Sequence, residues 1–527
     1  MRKVNLYINN ITSVFSSNKF LFLFASLIAA VVTIYSFYHG YIISYGDAES
    51  HLNIAKRVIT SVTPGFSQLG GIWLPLPHLL MVPLVYFNPL WRTGLAGSII
   101  SGASYVLSCY IIYKLVFRIT ENRFAAIVGY FAFALNPNIL YMQSTPLTEL
   151  PLICFFLLSI YFFTIFLDDK TQFMYLIFSA FFGFCASLSR YDGWALVSIE
   201  FVILLFFLIT QRHEKRQWIG KIILFSTLAF FGILIWIAWD ALILGDPFYF
   251  SDSAFSAKSQ QQGWLARGEL PSYHNIFSAI SYYFVVSANN IGIILASVVC
   301  LGFIIFLLKT HNLKRFFPVL LLLSPFIFYV TTLFSGQSVI FTPELTPISF
   351  EWRTFNVRYG IMMVPFAAFI IGYMASLRNT VIKSILFGLI ILQFVIFAMG
   401  KESIVTLADG TEGLSRQKSP DAQIWLKKHY DNGYVLMDDF ARTVSIINSG
   451  IPMENVIYIG NKPYWNESLE IPEKYATWIV MQKDDTVWTS IYADPRRKAE
   501  LYKYFQKAYT SPNILIFRAS KTIAIKT

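Results

Sequence analysis

The sequence predicts a polytopic α-helical membrane protein of about eleven transmembrane helices, followed by a C-terminal α/β domain. Three observations carry this reading. Hydrophobic residues fill 56% of the 527 positions and charged residues only 13%. A water-soluble chain of that make-up would expose too much apolar surface, so lipid must solvate most of it. Apolar runs of span length recur through residue 400, and beyond it they give way to short β-like runs alternating with helical stretches.

The apolar runs lie near 20–42, 93–117, 124–142, 148–167, 173–190, 195–211, 219–241, 286–308, 316–334, 357–376 and 382–400. A polar stretch precedes the first run and no small-residue cleavage site follows it, so it reads as a retained helix rather than a cleavable signal. Residues 72–90, "IWLPLPHLLMVPLVYFNPL", are apolar but proline-rich, and read as an interfacial or re-entrant segment. Charge tests that choice. With the N-terminus inside, segments 1–19, 114–123, 168–172, 211–221, 309–315 and 378–383 hold 16 Lys and Arg, while the longer outer loops before the tail hold 8. A further span at 72–90 would put "QRHEKRQ" and "KTHNLKR" outside and spoil that asymmetry. The expected topology is a multi-pass protein of the plasma membrane, with a cytoplasmic N-terminus and an extracytoplasmic C-terminal domain. The division is a membrane domain over 1–400, with its first outer loop at about 43–92, and a soluble domain over 401–527.

The formal charge of +11 does not point to nucleic acid. Through residue 400 there are 24 Lys and Arg against 15 Asp and Glu, and beyond it 17 against 15, so the surplus sits where membrane orientation explains it. All four cysteines, Cys109, Cys154, Cys185 and Cys300, lie in apolar runs and imply no disulfide framework.

In the tail, "YVLMDD", "VIYIG", "ATWIVMQ" and "NILIF" read as buried strands. "SPDAQIWLKKHY", "FARTVSIINSG" and "DPRRKAELYKYFQKAY" read as helices. The alternation predicts a small, mainly parallel sheet. Asp438 and Asp439 end a strand, where they either meet a ligand or cap the following helix.

Ionisable residues are expensive near a bilayer, so their placement is informative. They gather at the outer ends of the runs: Asp47, Glu49, His51, Lys56 and Arg57 in "GDAESHLNIAKRV", His78 in the proline-rich segment, Glu149 in "STPLTELP", Arg190 and Asp192 in "SRYDGW", and Arg353 and Arg358 in "EWRTFNVRYG". Such a layer suits a lipid-linked phosphate at headgroup depth. Arginine binds phosphate through paired hydrogen bonds, and a carboxylate beside the sugar accepts the proton of an attacking hydroxyl. Each residue also has a plainer reading. Glu49, Lys56 and Arg57 suit the solvated face of an amphipathic helix, Arg353 an interfacial anchor, and Arg190 with Asp192 a local ion pair. Glu49, His51 and His78 are candidate ligands for a divalent cation, though their spacing matches no metal motif. Glu200, inside a span, reads as a bond to a neighbouring helix.

At these residues the chain resembles membrane glycosyltransferases of the GT-C superfamily. The resemblance is greatest to the branch of protein O-mannosyltransferases (family 39) and aminoarabinose lipid A transferases. It rests on "GDAESHLNIAKRV", "WLPLPHLL", "STPLTELP", "SRYDGW" and "NVRYGIMMVP", in that order. It implies a GT-C-like membrane domain that moves a sugar, with inversion, from a polyprenyl-phosphate donor to an extracytoplasmic glycan, lipid or protein, with membrane lipid as a further partner. It also implies Asp47 and Glu149 as the catalytic acids, and Arg358, Arg190 and Arg353 as cations for the lipid phosphate. Glu49, His51, His78 and Asp192 would support the site or face the acceptor. No cofactor is implied beyond a possible divalent cation. Ala48 separates Asp47 from Glu49, where the mannosyltransferases have adjacent Asp-Glu. The alternatives are a metal-dependent oligosaccharyltransferase-like enzyme, a transporter or flippase of lipid-linked glycans, and a non-catalytic assembly subunit.

Overall fold

The apolar runs become helices for the reason they are apolar: in lipid every backbone N–H and C=O must be satisfied within its own segment. The computed structural model describes residues 16–253, 256–439 and 444–520. Among these, seven helices are long and apolar enough to cross a membrane: Asn18–Tyr38, Leu95–Thr120, Glu149–Asp168, Asp192–Thr210, Lys215–Leu244, Val357–Ser376 and Thr380–Ala398. Two bent pairs raise the number to nine. Leu313–Leu322 and Ser324–Ser335 meet at 42°, whereas Ile276–Ile291 and Ile293–Lys309 meet at 113°. The expected straight crossing at 286–308 is therefore a sharp elbow, placed at Gly292. The expected crossing at 124–142 is also divided, into Arg123–Ala134 and Pro137–Met142. Asn136 separates the two and caps the second by accepting from the Ile139 N–H at 3.0 Å. The proline-rich segment holds the short helices Leu76–Val85, with Pro83 inside it, and Asn88–Thr93.

The chain divides into two compact units. The first comprises residues 1–42, 71–77 and 97–415, so it contains all the membrane-crossing helices. Its most buried helices are Glu149–Asp168 and Val357–Ser376, and Thr380–Ala398 is the most peripheral. Glu200 is fully buried and accepts from Ser159 Oγ on the neighbouring helix at 2.9 Å, as the sequence suggests.

The second unit comprises residues 43–70, 78–96 and 416–527. Its five-stranded sheet has the order β2-β1-β3-β5-β4, with β1 Val435–Met437, β2 Val456–Ile457, β3 Trp478–Gln482, β4 Phe505–Thr510 and β5 Ile514–Ala519. β1 pairs in parallel with β2 and β3, while β5 pairs antiparallel with β3 and β4. The sheet is thus mixed rather than mainly parallel. The difference comes from β4: the expected helix over 494–509 stops at Tyr504, and the chain turns back as an antiparallel hairpin. The helix expected over "FARTVSIINSG" is described only as Ile446–Ser449, and residues 440–443 lie outside the described part.

Helix Gly46–Ile59, which carries the first acidic motif, belongs to this second unit, and its polar residues are not solvated. Glu49, His51, Asn53, Lys56 and Arg57 are all buried, so each needs a partner. Lys56 Nζ donates to the Val85 carbonyl at 3.0 Å and to Asn88 Oδ1 at 2.8 Å. Arg57 pairs with Asp439 at the end of β1 and lies 3.7 Å over the Tyr458 ring. The amphipathic-face reading of Glu49, Lys56 and Arg57 is corrected by these contacts. Arg57→Ala would leave Asp439 without its cation, a loss of about 3–5 kcal/mol against about 0–1 for a surface pair. Limited proteolysis should cut Arg57→Ala within residues 416–520 much faster than wild type, and Asp439→Ala added to it should restore part of the resistance.

Candidate functional site

Three helix beginnings in the first unit converge on one charged cluster. Glu149 opens helix Glu149–Asp168, where the helix N-terminus favours a carboxylate. Arg190 and Asp192 lie at the short turn between helices Phe173–Ser187 and Asp192–Thr210. Arg358 opens the tight 3-10 stretch Val357–Met363 that leads into Val364–Ser376. The glycines of the two arginine motifs let each segment pack closely on a neighbouring backbone. A Cβ on Gly193 would lie 2.3 Å from the Ala186 carbonyl carbon, and one on Gly360 would lie 2.4 Å from the Val286 carbonyl oxygen. Before Arg358, Asn356 adopts φ 54°, a left-handed conformation that asparagine tolerates better than most residues. Its side chain fixes it there by donating to the Val339 carbonyl at 3.0 Å.

The centre of the cluster is Glu149 Oε1. It accepts from Arg190 Nη1 at 3.0 Å and lies 3.2 Å from Arg358 Nε. Arg190 also reaches Asp192 Oδ2 at 3.4 Å, Thr148 Oγ1 at 3.1 Å and the Tyr329 hydroxyl at 3.1 Å. Tyr283, Tyr329 and Tyr359 stack beside it, at 4.8 and 5.2 Å between successive centroids. The Arg190 and Arg358 guanidinium carbons lie 5.1 and 5.5 Å from the Tyr359 ring. Two cations and two carboxylates thus balance in a nearly dry site. The Glu149 side chain is 1% exposed, and among the described residues its Oε2 has no hydrogen-bond partner; the same holds for Asp192 Oδ1. The cluster therefore holds arginine forks suited to an oxyanion, and carboxylate lone pairs able to accept from hydroxyl donors.

Glu149, Arg190, Asp192 and Arg358 are brought together, and Arg353 is not with them. Arg353 closes its own loop by donating to the Thr346 carbonyl at 3.3 Å and to the Pro343 carbonyl. Thr148, Tyr329 and Tyr359 were missed. The only signal for Tyr329 was a hydroxyl inside an apolar run, since a buried tyrosine O–H seeks a partner.

In the second unit, Asp47 lies half-buried in the first turn of helix Gly46–Ile59. Glu49 is fixed by protein contacts. Its Oε1 accepts from the Ile447 N–H at 3.1 Å and from Asn53 Nδ2 at 3.5 Å, and its Oε2 accepts from Gln417 Nε2. Burial raises its carboxyl above the usual range, against those donors. His51 Nδ1 and His78 Nε2 are 2.8 Å apart and buried. Among the described residues, no group of three or more His, Cys, Asp and Glu is placed to hold a metal ion, and both Glu49 oxygens are already engaged. These side chains do not fit the donor set expected of Glu49, His51 and His78. Asp438 Oδ2 accepts from the Thr486 N–H at 3.2 Å; the start of the following helix, where the sequence offers it as a cap, lies outside the described residues.

Comparison with known proteins bears on the fold. The sequence profile of the family described as dolichyl-phosphate-mannose-protein mannosyltransferase matches residues 92–239. Among curated proteins, no sequence match is found. Among solved structures, ArnT from Cupriavidus metallidurans bound to undecaprenyl phosphate is similar, with a TM-score of 0.56 at 11% identity over 95% of this chain and 98% of that one. The same protein in its apo state gives a TM-score of 0.51 at 11% identity over 94% and 97%. The Archaeoglobus fulgidus oligosaccharyltransferase in complex with Zn and sulfate gives 0.51 at 12% identity over 95% of this chain and 73% of that one. By fold the chain is a multi-pass membrane protein similar to these structures, and its residues 92–239 match the mannosyltransferase profile. Its particular likeness is to ArnT and to the dolichyl-phosphate-mannose-protein mannosyltransferases.

The histidine pair makes a prediction about pH. Burial pushes the His78 imidazole down to about 3, below its unfolded value of about 6.5. A depressed pKa contributes stability that is present above about 6.5 and is lost as pH falls from there toward about 3. The loss approaches about 1.4 kcal/mol per pH unit within that window. Thermal unfolding in detergent, followed from neutral pH down to about 5, should fall less steeply for His78→Gln than for wild type.

Proposed function

We propose that the chain transfers a sugar from a polyprenyl-phosphate donor to an extracytoplasmic glycan, lipid or protein, with inversion at the sugar carbon. The observation that carries this reading is the buried cluster in which Glu149 lies between Arg190 and Arg358. A sugar-phospho-lipid is a phosphodiester with one negative charge. Its leaving group is a phosphomonoester that carries up to two. Cations at the phosphate therefore bind more strongly as the glycosidic bond breaks, which is the difference that lowers a barrier. Arg358 and Arg190 are the clamp, and Glu149 with Asp192 sets the direction of the guanidinium forks before the donor arrives.

Asp47 serves the other substrate. It accepts the proton of the acceptor hydroxyl while that oxygen attacks the sugar carbon and the bond to the phosphate oxygen breaks. One displacement completes the reaction. Glu49, His51 and His78 support the helix that carries Asp47. The active face is the extracytoplasmic one, with residues 401–527 on the same side and the N-terminus in the cytoplasm, as the basic residues favour.

The test uses full-length protein in lipid vesicles and a panel of radiolabelled polyprenyl-phosphate sugars. Sugar release or transfer to a membrane extract is the expected activity. Asp47→Asn should lower turnover by about 10²–10⁴ with little change in donor binding. Arg358→Ala should weaken donor binding itself. Turnover that survives Asp47→Asn removes Asp47 from the centre, and failure of every donor to bind sinks the reading. A chelator that abolishes turnover, with recovery on adding a divalent cation, would favour the metal-dependent oligosaccharyltransferase-like alternative.

A further inference from the structure

At the far ends of two helices that carry the charged cluster lies a second, unlike site. Helix Glu149–Asp168 places Glu149 at the cluster and Asp168 at its other end; helix Asp192–Thr210 does the same with Asp192 and Thr210. At 1.5 Å per residue the ends are roughly 28 Å apart, about the thickness of a bilayer's hydrocarbon core. Around those far ends, the links 168–172 and 211–221 enclose a cavity of about 600 Å³, within the range of small-molecule sites. Its walls carry Lys170, His213, Gln217 and Lys221, with Glu214 as the single carboxylate.

The two lysines are held rather than loosely exposed. Lys221 is 3% exposed, and its ammonium lies 4.4 Å over the Trp218 ring and 5.6 Å over Phe173. Lys170 lies 4.0 Å over Phe207 and 5.4 Å over Trp218. Trp218 itself stacks on Phe207 at 5.0 Å and donates its indole N–H to Gln211 at 3.0 Å, so the platform is rigid. Among the described residues neither ammonium makes a salt bridge or a hydrogen bond. Two like charges therefore share one indole, with Glu214 near enough to act on both through space but bonded to neither ammonium. Burial lowers the affinity of Lys170 for its proton, and repulsion from Lys314 and Lys221 adds to that against the pull of Glu214. The ring faces offset part of this cost, and a bound anion would offset the rest.

We infer that this cavity binds the headgroup of an anionic phospholipid in the leaflet opposite the charged cluster, with Lys170 and Lys221 on its phosphate and the aromatic wall against its glycerol and upper chains. A lipid rather than a soluble anion is the occupant because the cavity opens where membrane-crossing helices end and because Phe173 lines it beside the cations. The site is independent of donor chemistry, which belongs to the other ends of the same helices.

The test is native mass spectrometry of the full chain, titrated with phosphatidylglycerol and with phosphatidylcholine of the same acyl chains. Thermal unfolding with millimolar inorganic phosphate is measured alongside. Wild type should retain phosphatidylglycerol preferentially, and retention should fall about fivefold in Lys170→Gln or Lys221→Met and about thirtyfold in the pair. Equal retention of both lipids, or of phosphatidylglycerol by wild type and the double variant, would reduce the lysines to ordinary snorkelling side chains and overturn the proposal. Lysine-dependent stabilisation by phosphate without preference for phosphatidylglycerol would overturn it too, in favour of a soluble anion. If Lys221→Met does not fold, Lys170→Gln, at a half-buried position, decides the matter alone.

Discussion

Everything at the first unit's charged site depends on one carboxylate oxygen. Glu149 Oε1 is the point at which Arg190 and Arg358 meet, and without it two guanidiniums would face each other in a nearly dry space. Desolvating ions is costly enough that such a cluster is weak evidence for stability, and breaking it by removing one member costs more than never having built it. Three helix starts, from three distant stretches of sequence, are held in register by that oxygen. The glycines at 193 and 360 let the two arginine-bearing segments pack tightly, against Ala186 and Val286 respectively. Geometry this constrained orients the arginine forks in advance of any ligand, so little reorganisation remains when a phosphate arrives.

The second unit solves a related problem by different means. Helix Gly46–Ile59 buries a glutamate, a lysine and an arginine, and each is satisfied by a partner remote in sequence. Glu49 is matched by Ile447, and Arg57 by Asp439. The effect is to hold the helix that presents Asp47 at both its ends, with Glu49 in the same turn as Asp47 and Arg57 in the last, while Asp47 itself stays half-buried.

Much of this was legible from residue patterns, and the limits have physical causes. Every apolar run is helical because hydrophobicity and backbone satisfaction in lipid point the same way. The members of the charged cluster were visible as exceptions inside or beside those runs, since ionisable groups are rare there. Their pairing was not visible, and neither was the part played by Tyr329, whose hydroxyl looks like any other within "SPFIFYVTT". Strand β4 was hidden because "ELYKYFQKAY" carries charges at helical spacing, while its pairing with β5 depends on a hairpin that local propensity does not weigh. The burial of Lys56 and Arg57 was hidden because a charged helix face looks the same whether water or a folded tail covers it. The separation of 382 residues between Arg57 and Asp439 is beyond any local pattern.

The composition of the second unit bears on how such a protein can be taken apart or recombined. Its sheet comes from the end of the chain, but the helix packed into it comes from residues 43–70, and further pieces from 78–96. The tail is therefore not a cartridge. A fragment beginning near residue 416 would lack the arginine that neutralises Asp439 and the carboxylate that anchors Ile447. Grafting the tail onto another membrane domain would succeed only if the host's own first loop supplied those groups. Insertions and exchanges between relatives should accordingly travel as matched pairs, first loop with tail, rather than as a single contiguous block.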